Sequence, residues 1–307
     1  MRPARVLFVL VPKLHLLDLA GPAQVFSTAN DLGYGYEVSY VAESDEVMTA
    51  QGVPLRTRVS WPELEPGDLV LVPGWRSPRL SPEPPIGPAI RQRLRDHHAS
   101  GGTVASVCSG ADALGWAGLL DGRRFTTHHD LTDELADRYP RATIVRDVLY
   151  VEDDRVITSA GIASGIDLAL HLVAIDYGAL AAARVAREMV VYARRNGDEL
   201  QESAMLRHRG HLNDLAHRVQ DVIDTQYADR LPLAELAGRI GVSERTLTRI
   251  FTTATGLTPL RYQQLLRLER AEHLIGHGAT IESAARTVGF EDARMLRRLR
   301  SRTPVQT

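Results

Sequence analysis

The sequence has little of three features that would place it in a specialised structural class. A single cysteine in 307 residues cannot form an intramolecular disulfide, so the fold depends on its apolar core and a reducing cytoplasm is the expected location. It has no run of about 18 apolar residues, which argues against a membrane protein. Pro12, Lys13 and His15 interrupt the apolar N-terminal stretch, so we predict a buried strand there and not a signal peptide.

Net charge is also small, but the whole-chain value of −2 hides a split. Residues 1–207 carry 21 basic and 27 acidic side chains, whereas residues 208–307 carry 15 basic and 11 acidic ones. A chain of this length exceeds the usual single domain of about 100–200 residues, which predicts two domains. The cationic C-terminal part is the candidate for contact with a polyanion.

The N-terminal part, through about residue 180, alternates short β-branched runs with longer amphipathic stretches. Strands are predicted at residues 6–11, 37–42, 68–72, 103–107 and 155–159. Helices are predicted between them, at residues 21–32, 89–100, 109–120, 132–139 and 164–177. Near-continuous apolar strands in β-then-α order are typical of a doubly wound parallel sheet with helices on both faces.

The C-terminal part contains an internal repeat, residues 233–251 and 281–299. Ala237 and Gly241 of the first copy recur in the second as Ala285 and Gly289. A small alanine permits a close helix crossing, and the glycine permits a tight turn before a second helix. Each copy therefore predicts a helix-turn-helix, within an all-α domain that holds two such motifs.

The second helix of such a motif enters the DNA major groove, so its outward side chains are candidates for base and phosphate contacts. In the first copy these are Arg245, Thr248 and Arg249; in the second they are Arg294 and Arg298. The alternative is that the arginines only form a solvated helix face. Their repetition in both copies favours double-stranded DNA as the partner.

The segment SERTLTRIFTTATGLTPLRYQQLLRLERAEHLI, within about residues 212–304, resembles the AraC/XylS family of bacterial transcription regulators. The resemblance implies sequence-specific DNA binding through the five residues just named. The second copy departs from the family pattern, because Thr303 follows Arg300 by three residues, whereas Thr258 follows Phe251 by seven in the first copy, and the closing turn and helix are missing. We therefore expect the second motif to pack less well than the first.

The lone Cys108 lies between an apolar strand and a helix, with small residues around it in Ala-Ser-Val-Cys-Ser-Gly. This pattern predicts a nucleophile elbow, and a helix N-terminus would favour the thiolate. Asp18 and His128 are its candidate partners. The alternative is a buried cysteine that serves only as a small apolar side chain.

Residues 16–26, 106–129 and 158–173 resemble the PfpI-like group of the class I glutamine amidotransferase superfamily. The resemblance covers about residues 5–195 and implies a flavodoxin-like α/β domain that forms a homodimer. It also implies that Asp18, Cys108, Ser109 and His128 border a small-molecule site. The predicted organisation is thus a PfpI-like domain at 1–195, a linker at 196–211 and a DNA-binding domain at 212–307.

Two functions follow from this organisation. The favoured one is a transcription regulator whose α/β domain senses a small metabolite near Cys108, because a regulator requires differential ligand affinity and no turnover. The alternative is a cysteine-dependent hydrolase or hydratase activity retained in that domain. No cofactor is expected, because no dinucleotide fingerprint is present. No metal is expected either, because adjacent histidines do not readily share one tetrahedral site.

Overall fold

The computed structural model describes residues 4–76, 79–191, 195–201, 203–276 and 278–302, which group into two compact units. The first unit is Met1–Gln201 and the second is Glu202–Thr307. The predicted linker at 196–211 contributes residues to both, since Gly197 pairs with the first unit and Ala204 is buried in the core of the second. Within the described residues, no helix is both long and apolar enough to cross a bilayer.

A six-stranded sheet in the order β2-β1-β5-β6-β10-β9 forms the centre of the first unit. Every pairing in it is parallel except that of β9 with β10. The strands of this unit are β1 (Ala4–Val9), β2 (Tyr36–Val41), β3 (Glu46–Met48), β4 (Pro54–Arg56), β5 (Leu69–Val72), β6 (Thr103–Val107), β7 (Arg124–Phe125), β8 (Thr143–Ile144), β9 (Tyr150–Asp153) and β10 (Val156–Ser159). The five predicted strands and the predicted fold class are confirmed.

The order of the five parallel strands is that of a flavodoxin-like fold, and it reverses between β1 and β5. Ligand sites of open α/β sheets lie at such a reversal, outside the carboxyl ends of the strands. The three strands around it end at Val9, Val72 and Val107, and all three residues are fully buried. The chain segments that follow these strands therefore meet at one edge of the sheet.

Three features of this unit were not predicted. The antiparallel hairpin β3–β4, the short parallel pair β7–β8 and the edge strand β9 are all present. The strands of the two short pairs have only two or three residues, too few to show an apolar run, and only one of the four residues of β9 is buried. β4 shows the reason, because none of its three side chains is buried.

Helices cover both faces of the sheet. They are α1 (Leu16–Asp31), α2 (Pro88–Ala99), α3 (Gly110–Trp116), α4 (Thr132–Arg138), α5 (Ser164–Tyr177) and α6 (Ala179–Glu188), with a 3₁₀ turn at His129–Leu131. Helix α1 begins earlier than the predicted residue 21, which places Asp18 in its first turn. The helix ends at Asp31, one residue before the predicted end at residue 32.

All regular secondary structure in the described residues of the second unit is helical. Its helices are α7 (Ala204–Arg207), α8 (Asp214–Thr225), α9 (Leu233–Ile240), α10 (Glu244–Thr255), α11 (Pro259–Gly276), α12 (Ile281–Thr287) and α13 (Ala293–Arg302). Helices α9–α10 and α12–α13 are the two predicted helix-turn-helix motifs, and α11 joins them. Each motif has its own core, one around Phe251 and Tyr262 and the other around Leu268 and Leu296.

The described part of the second motif is packed, contrary to our expectation. Ala284, Ala285 and Leu296 are at most 1% exposed and Leu299 is 4% exposed. The Asp292 carboxylate begins α13 by accepting hydrogen bonds from the amides of the second and third residues after it. The departing residues Thr303 and Pro304 lie outside the described residues.

Candidate functional site

Cys108 occupies a strained turn between β6 and α3. Its φ angle is +56°, a conformation that side chains other than glycine seldom adopt. Its amide donates to the Ser159 carbonyl at 2.8 Å, and its own carbonyl accepts from the Thr127 hydroxyl at 2.9 Å. These bonds to the carboxyl end of β10 and to the 126–128 loop hold the turn. The arrangement is the nucleophile elbow that the sequence predicts.

Two glycines let the backbone enclose the Cys108 side chain. A Cβ atom added to Gly74 would lie 2.7 Å from the Cys108 Cβ and 2.5 Å from the Asp18 Oδ2. One added to Gly161, where φ is +87°, would lie 2.3 Å from the Cys108 Cβ. Both separations are far below contact distance, so only glycine fits at either position. The role of these two glycines was not predicted, because their only signal in the sequence is a glycine shortly after each of two strands.

Asp18 is the acidic partner that the structure brings to the elbow. It is fully buried, and neither carboxylate oxygen has a partner with hydrogen-bond geometry among the described residues. Burial raises the pKa of Asp18 to about 7, although the Gly74 backbone and the Cys108 thiol beside it act in the opposite direction. At neutral pH both protonation states of this carboxyl group are therefore populated.

The prediction of a thiolate at Cys108 is wrong, because the surroundings of the thiol raise its pKa. Burial raises the pKa of the Cys108 thiol, and the nearby Asp18 charge raises it further. The Ser109 backbone amide acts in the favourable direction but does not compensate. Because desolvation exceeds the effect of the helix N-terminus, the thiol stays protonated at neutral pH.

The other two predicted site residues have mainly structural contacts. Ser109 is 1% exposed, and its hydroxyl accepts from the Trp75 amide at 2.7 Å and donates to the Trp75 carbonyl at 3.0 Å. It thereby holds the loop that brings Gly74 to Cys108. His128 precedes the 3₁₀ turn, and its Nδ1 accepts from the Asp130 amide at 3.4 Å. The neighbouring Thr127 hydroxyl, described above, links that loop to the elbow.

His128, His129 and Asp130 form the one group in the described part of the chain that could offer three ligands to a metal ion. Their ligand atoms lie within 4.8 Å of one another. Adjacent histidines can therefore approach a common point here, although we predicted that they do not readily share one tetrahedral site. His129 and Asp130 are exposed, and we assign no metal to the group.

Helix α10 carries the candidate DNA contacts of the first motif. Gly241, at φ +76°, ends α9 in the left-handed conformation, and the Ser243 hydroxyl caps α10 by accepting from the Thr246 amide. Leu247 and Phe251 are at most 1% exposed and fix the inner face of the helix. This geometry sets the orientation of the opposite face.

Arg245 and Arg249 are exposed on that outer face, and Thr248 between them is half-buried. Together with Leu233, Glu244 and Thr252 they line an open concave surface. Among the described residues, neither arginine has an ion-pair or hydrogen-bond partner for its guanidinium. Two unpaired arginines on one helix face are suited to guanine and phosphate oxygens.

Helix α13 presents a similar face with one difference. Arg294 and Arg298 are exposed, as predicted, and the Arg298 guanidinium lies 3.0 Å from the Met295 sulfur. The sequence analysis missed Arg297, which follows Leu296 as Thr248 follows Leu247. Arg297 pairs with Glu282 of α12, so part of its charge is neutralised within the motif.

Arg267 of α11 joins the two motifs. Its guanidinium donates to the backbone carbonyls of Tyr227, Ala228, Asp229 and Gly289. Gly289 is the turn glycine of the second motif, and a Cβ atom there would lie 1.9 Å from the Ala228 carbonyl oxygen. One half-buried cation therefore holds the loop after α8 against the turn between α12 and α13.

Two helix-turn-helix motifs, joined to a flavodoxin-like domain with a cysteine elbow, define a DNA-binding transcription regulator of the AraC type. The chain belongs to the DJ-1/PfpI family, whose profile matches residues 4–175, and a helix-turn-helix domain profile matches residues 236–303. Both resemblances drawn from the sequence are thereby confirmed.

Individual relatives match different shares of the chain. The chain is 29% identical over 272 residues to the HTH-type transcriptional regulator CdhR of Pseudomonas aeruginosa, covering 87% of this chain and 79% of that protein. It is 33% identical over 174 residues to the isonitrile hydratase of Pseudomonas putida, covering 54% of this chain and 68% of that protein. An AraC family transcriptional regulator structure from Pseudomonas putida covers 61% of this chain and all of its own, with 26% identity and a TM-score of 0.54.

Proposed function

We propose that the α/β domain of this regulator binds a small metabolite beside Asp18 and Cys108, and that binding changes the affinity of a homodimer for its operator. The observation that carries the proposal is the fully buried Asp18 carboxyl group, whose oxygens have no partner with hydrogen-bond geometry among the described residues. An unpartnered buried acceptor is costly, and a ligand that donates an N–H would remove that cost. The site also lies where flavodoxin-like folds bind ligands.

The chemistry of the site favours a ligand with a cationic or amide nitrogen. A carboxyl group whose pKa is about 7 can meet an ammonium group as the carboxylate, or an uncharged amide as either form. Cys108 is 7% exposed whereas Asp18 is fully buried, so a ligand would contact the thiol first. Amino acids, amides and nucleosides, which donate N–H groups, are the classes to compare with quaternary amines, whose cationic nitrogen has no N–H.

A thermal-shift screen of the full chain against these four classes tests ligand binding. A compound that binds the folded state raises the melting temperature by mass action. We expect Asp18→Asn to reduce that rise, and the matched control Asp31→Asn, at the exposed end of α1, to preserve it. A rise that is equal in both variants would place the ligand elsewhere.

The DNA contacts assigned to α10 are tested separately. A bidentate arginine–guanine contact is worth about 1–3 kcal/mol, so Arg249→Ala should weaken binding to a duplex selected from random sequences by more than about tenfold at fixed salt. Arg239→Ala is the matched control, because that guanidinium is already held by Glu235 and Gln226. Equal losses in the two variants would contradict a specific role for α10.

A homodimer is part of the proposal, since palindromic operators match two-fold symmetric proteins. Sedimentation of the full chain at several concentrations would detect it directly. A monomer at all concentrations, with DNA affinity retained, would remove this part of the proposal alone.

Enzyme activity is the second candidate, and the strained φ angle of Cys108 is the observation in its favour. The raised pKa of the thiol argues against it. Turnover of an isonitrile, an amide or an α-oxoaldehyde by the full chain, abolished by Cys108→Ser, would favour the enzyme over the sensor.

A further inference from the structure

The last residues of the α/β unit, 195–201, form what we call the exit segment. Polar composition marks it as part of a linker, yet its described contacts are with loops of the first unit. Arg195 makes a three-bond contact with the Asp167 carboxylate in the first turn of α5: its amide donates at 2.9 Å, its Nε at 3.0 Å and its Nη2 at 2.7 Å. Asp167 is 4% exposed, so this anchor is well shielded from water.

Gln201, at the end of the exit segment, uses both ends of its amide group. Its Nε2 donates to the Thr127 carbonyl at 2.9 Å and to the Val148 carbonyl at 3.0 Å. Its Oε1 accepts from the His129 amide at 3.0 Å. A surface linker side chain would be solvated, whereas this one is bonded at three points to two loops.

One of the two loops bonds directly to Cys108, and the other reaches it indirectly. The Thr127 hydroxyl donates to the Cys108 carbonyl at 2.9 Å. Gly197 accepts from the Leu149 amide at 2.7 Å, and the Leu149 carbonyl accepts from the amide of Ala160, the residue before the glycine that encloses the thiol. The exit segment therefore contacts the 126–129 loop, which is bonded to the elbow, and the segment at Val148 and Leu149, which is bonded to the residue beside Gly161.

A second anchor follows closely in the sequence. The Ala204 amide donates to the Glu269 carboxylate of α11 at 2.8 Å, and Ala204 is fully buried in the core of the second unit. Only two residues of sequence separate Gln201 from Ala204. Anchors on the first and the second unit therefore lie three positions apart in the sequence.

We propose that Gln201 is a positioning residue that couples occupancy of the Asp18–Cys108 site to DNA binding through the 126–129 loop. This inference rests on the proposed function and adds its route of regulation. Coupling between two binding sites is reciprocal, so DNA must change the affinity of the Asp18–Cys108 site for its ligand by the same factor as that ligand changes DNA affinity. The route can therefore be tested without knowing the ligand.

The experiment measures alkylation of Cys108 by iodoacetamide in the full chain, with and without a saturating duplex selected from random sequences. Cys108 is the only cysteine, so the mass increase reports on it alone. We expect DNA to change the alkylation rate at least about fivefold, because it shifts the population of states in which the 126–129 loop covers the thiol. If the buried thiol reacts too slowly, amide hydrogen exchange in residues 127–131 supplies the same comparison.

Gln201→Ala should reduce the effect of DNA on Cys108 to less than about twofold while DNA affinity stays within about twofold of wild type. Gln201→Glu keeps the acceptor for the His129 amide but loses both donors, so it should behave like Gln201→Ala. This second variant covers the case in which the alanine variant fails to fold. Glu199→Ala is the matched control, since among the described residues its side chain bonds to Asn196, within the exit segment.

The outcomes separate the two proposals. No effect of DNA on Cys108 in the wild type, with the duplex bound, would overturn the coupling. An effect that persists in both Gln201 variants would overturn the role of this residue. Failure to bind any duplex would instead contradict the DNA-binding function.

Discussion

Replacing Asp18 by asparagine should change how stability depends on pH. Burial raises the pKa of Asp18 from 3.8 to about 7. Between those values the folded state holds a proton that the unfolded state has lost, so the free energy of unfolding falls as pH rises. The stabilising effect is complete below about pH 4 and is lost as pH passes through about 7.

The size follows from the shift of about 3 pH units at about 1.4 kcal/mol per unit, or about 4 kcal/mol in total. Roughly 3 kcal/mol of that change falls between pH 5 and pH 8. Asp18→Asn carries no titrating group, so the variant should gain about this much relative to wild type across that range. Cys108 does not add to it, because burial raises its pKa above the range.

Urea unfolding of the full chain at several pH values, followed by the fluorescence of its three tryptophans, measures the difference. All three lie in the α/β unit, so the signal reports on the domain that contains Asp18. Asp31→Asn controls for the loss of a carboxylate, because Asp31 is exposed. A variant-minus-wild-type difference that stays constant with pH, or that falls as pH rises, would refute the assigned environment of Asp18.

Three further predictions concern packing around the two sites, and denaturant unfolding checks each. Gly161→Ala should lower the free energy of unfolding by at least about 2–4 kcal/mol, because its Cβ would lie 2.3 Å from that of Cys108. The control Gly33→Ala, with nothing within 4 Å of its Cβ, should cost only about 1 kcal/mol of backbone strain. Equal costs would contradict the enclosure of the thiol. Arg267→Met should destabilise the second unit by about 2–4 kcal/mol, because the substitution removes hydrogen bonds to four carbonyls. A cost below about 0.5 kcal/mol would show that the two motifs do not depend on the Arg267 guanidinium. Ser109→Ala should cost about 1–3 kcal/mol by leaving a loop amide without an acceptor, and an unchanged midpoint would place that loop differently.

Sequence reasoning recovered the features that local pattern determines. The five parallel strands are runs such as Leu69–Val72, in which every side chain is buried, so composition alone identifies them. The recognition helices follow from Gly241 and Ser243, whose turn and cap act over a few residues. Exposure of Arg245 and Arg249 then follows from helical periodicity.

Properties that depend on distant contacts could not be predicted in this way. The protonated thiol of Cys108 results from burial and from the proximity of Asp18, and neither is visible in the six residues around the cysteine. Gln201 illustrates the same limit, because a glutamine that satisfies two loop carbonyls has the same composition signal as a solvated one. Arg267 likewise reads as an ordinary helical arginine until the loop at Tyr227 is placed beside it.

The most direct test of ligand-controlled DNA binding is the affinity of the full chain for a selected duplex, at fixed salt, with and without a compound that raises its melting temperature. Regulation by a ligand at the Asp18–Cys108 site predicts a change of at least about fivefold in that affinity. It also predicts that Asp18→Asn abolishes the change. An affinity that stays the same while the compound is bound would contradict ligand-controlled DNA binding.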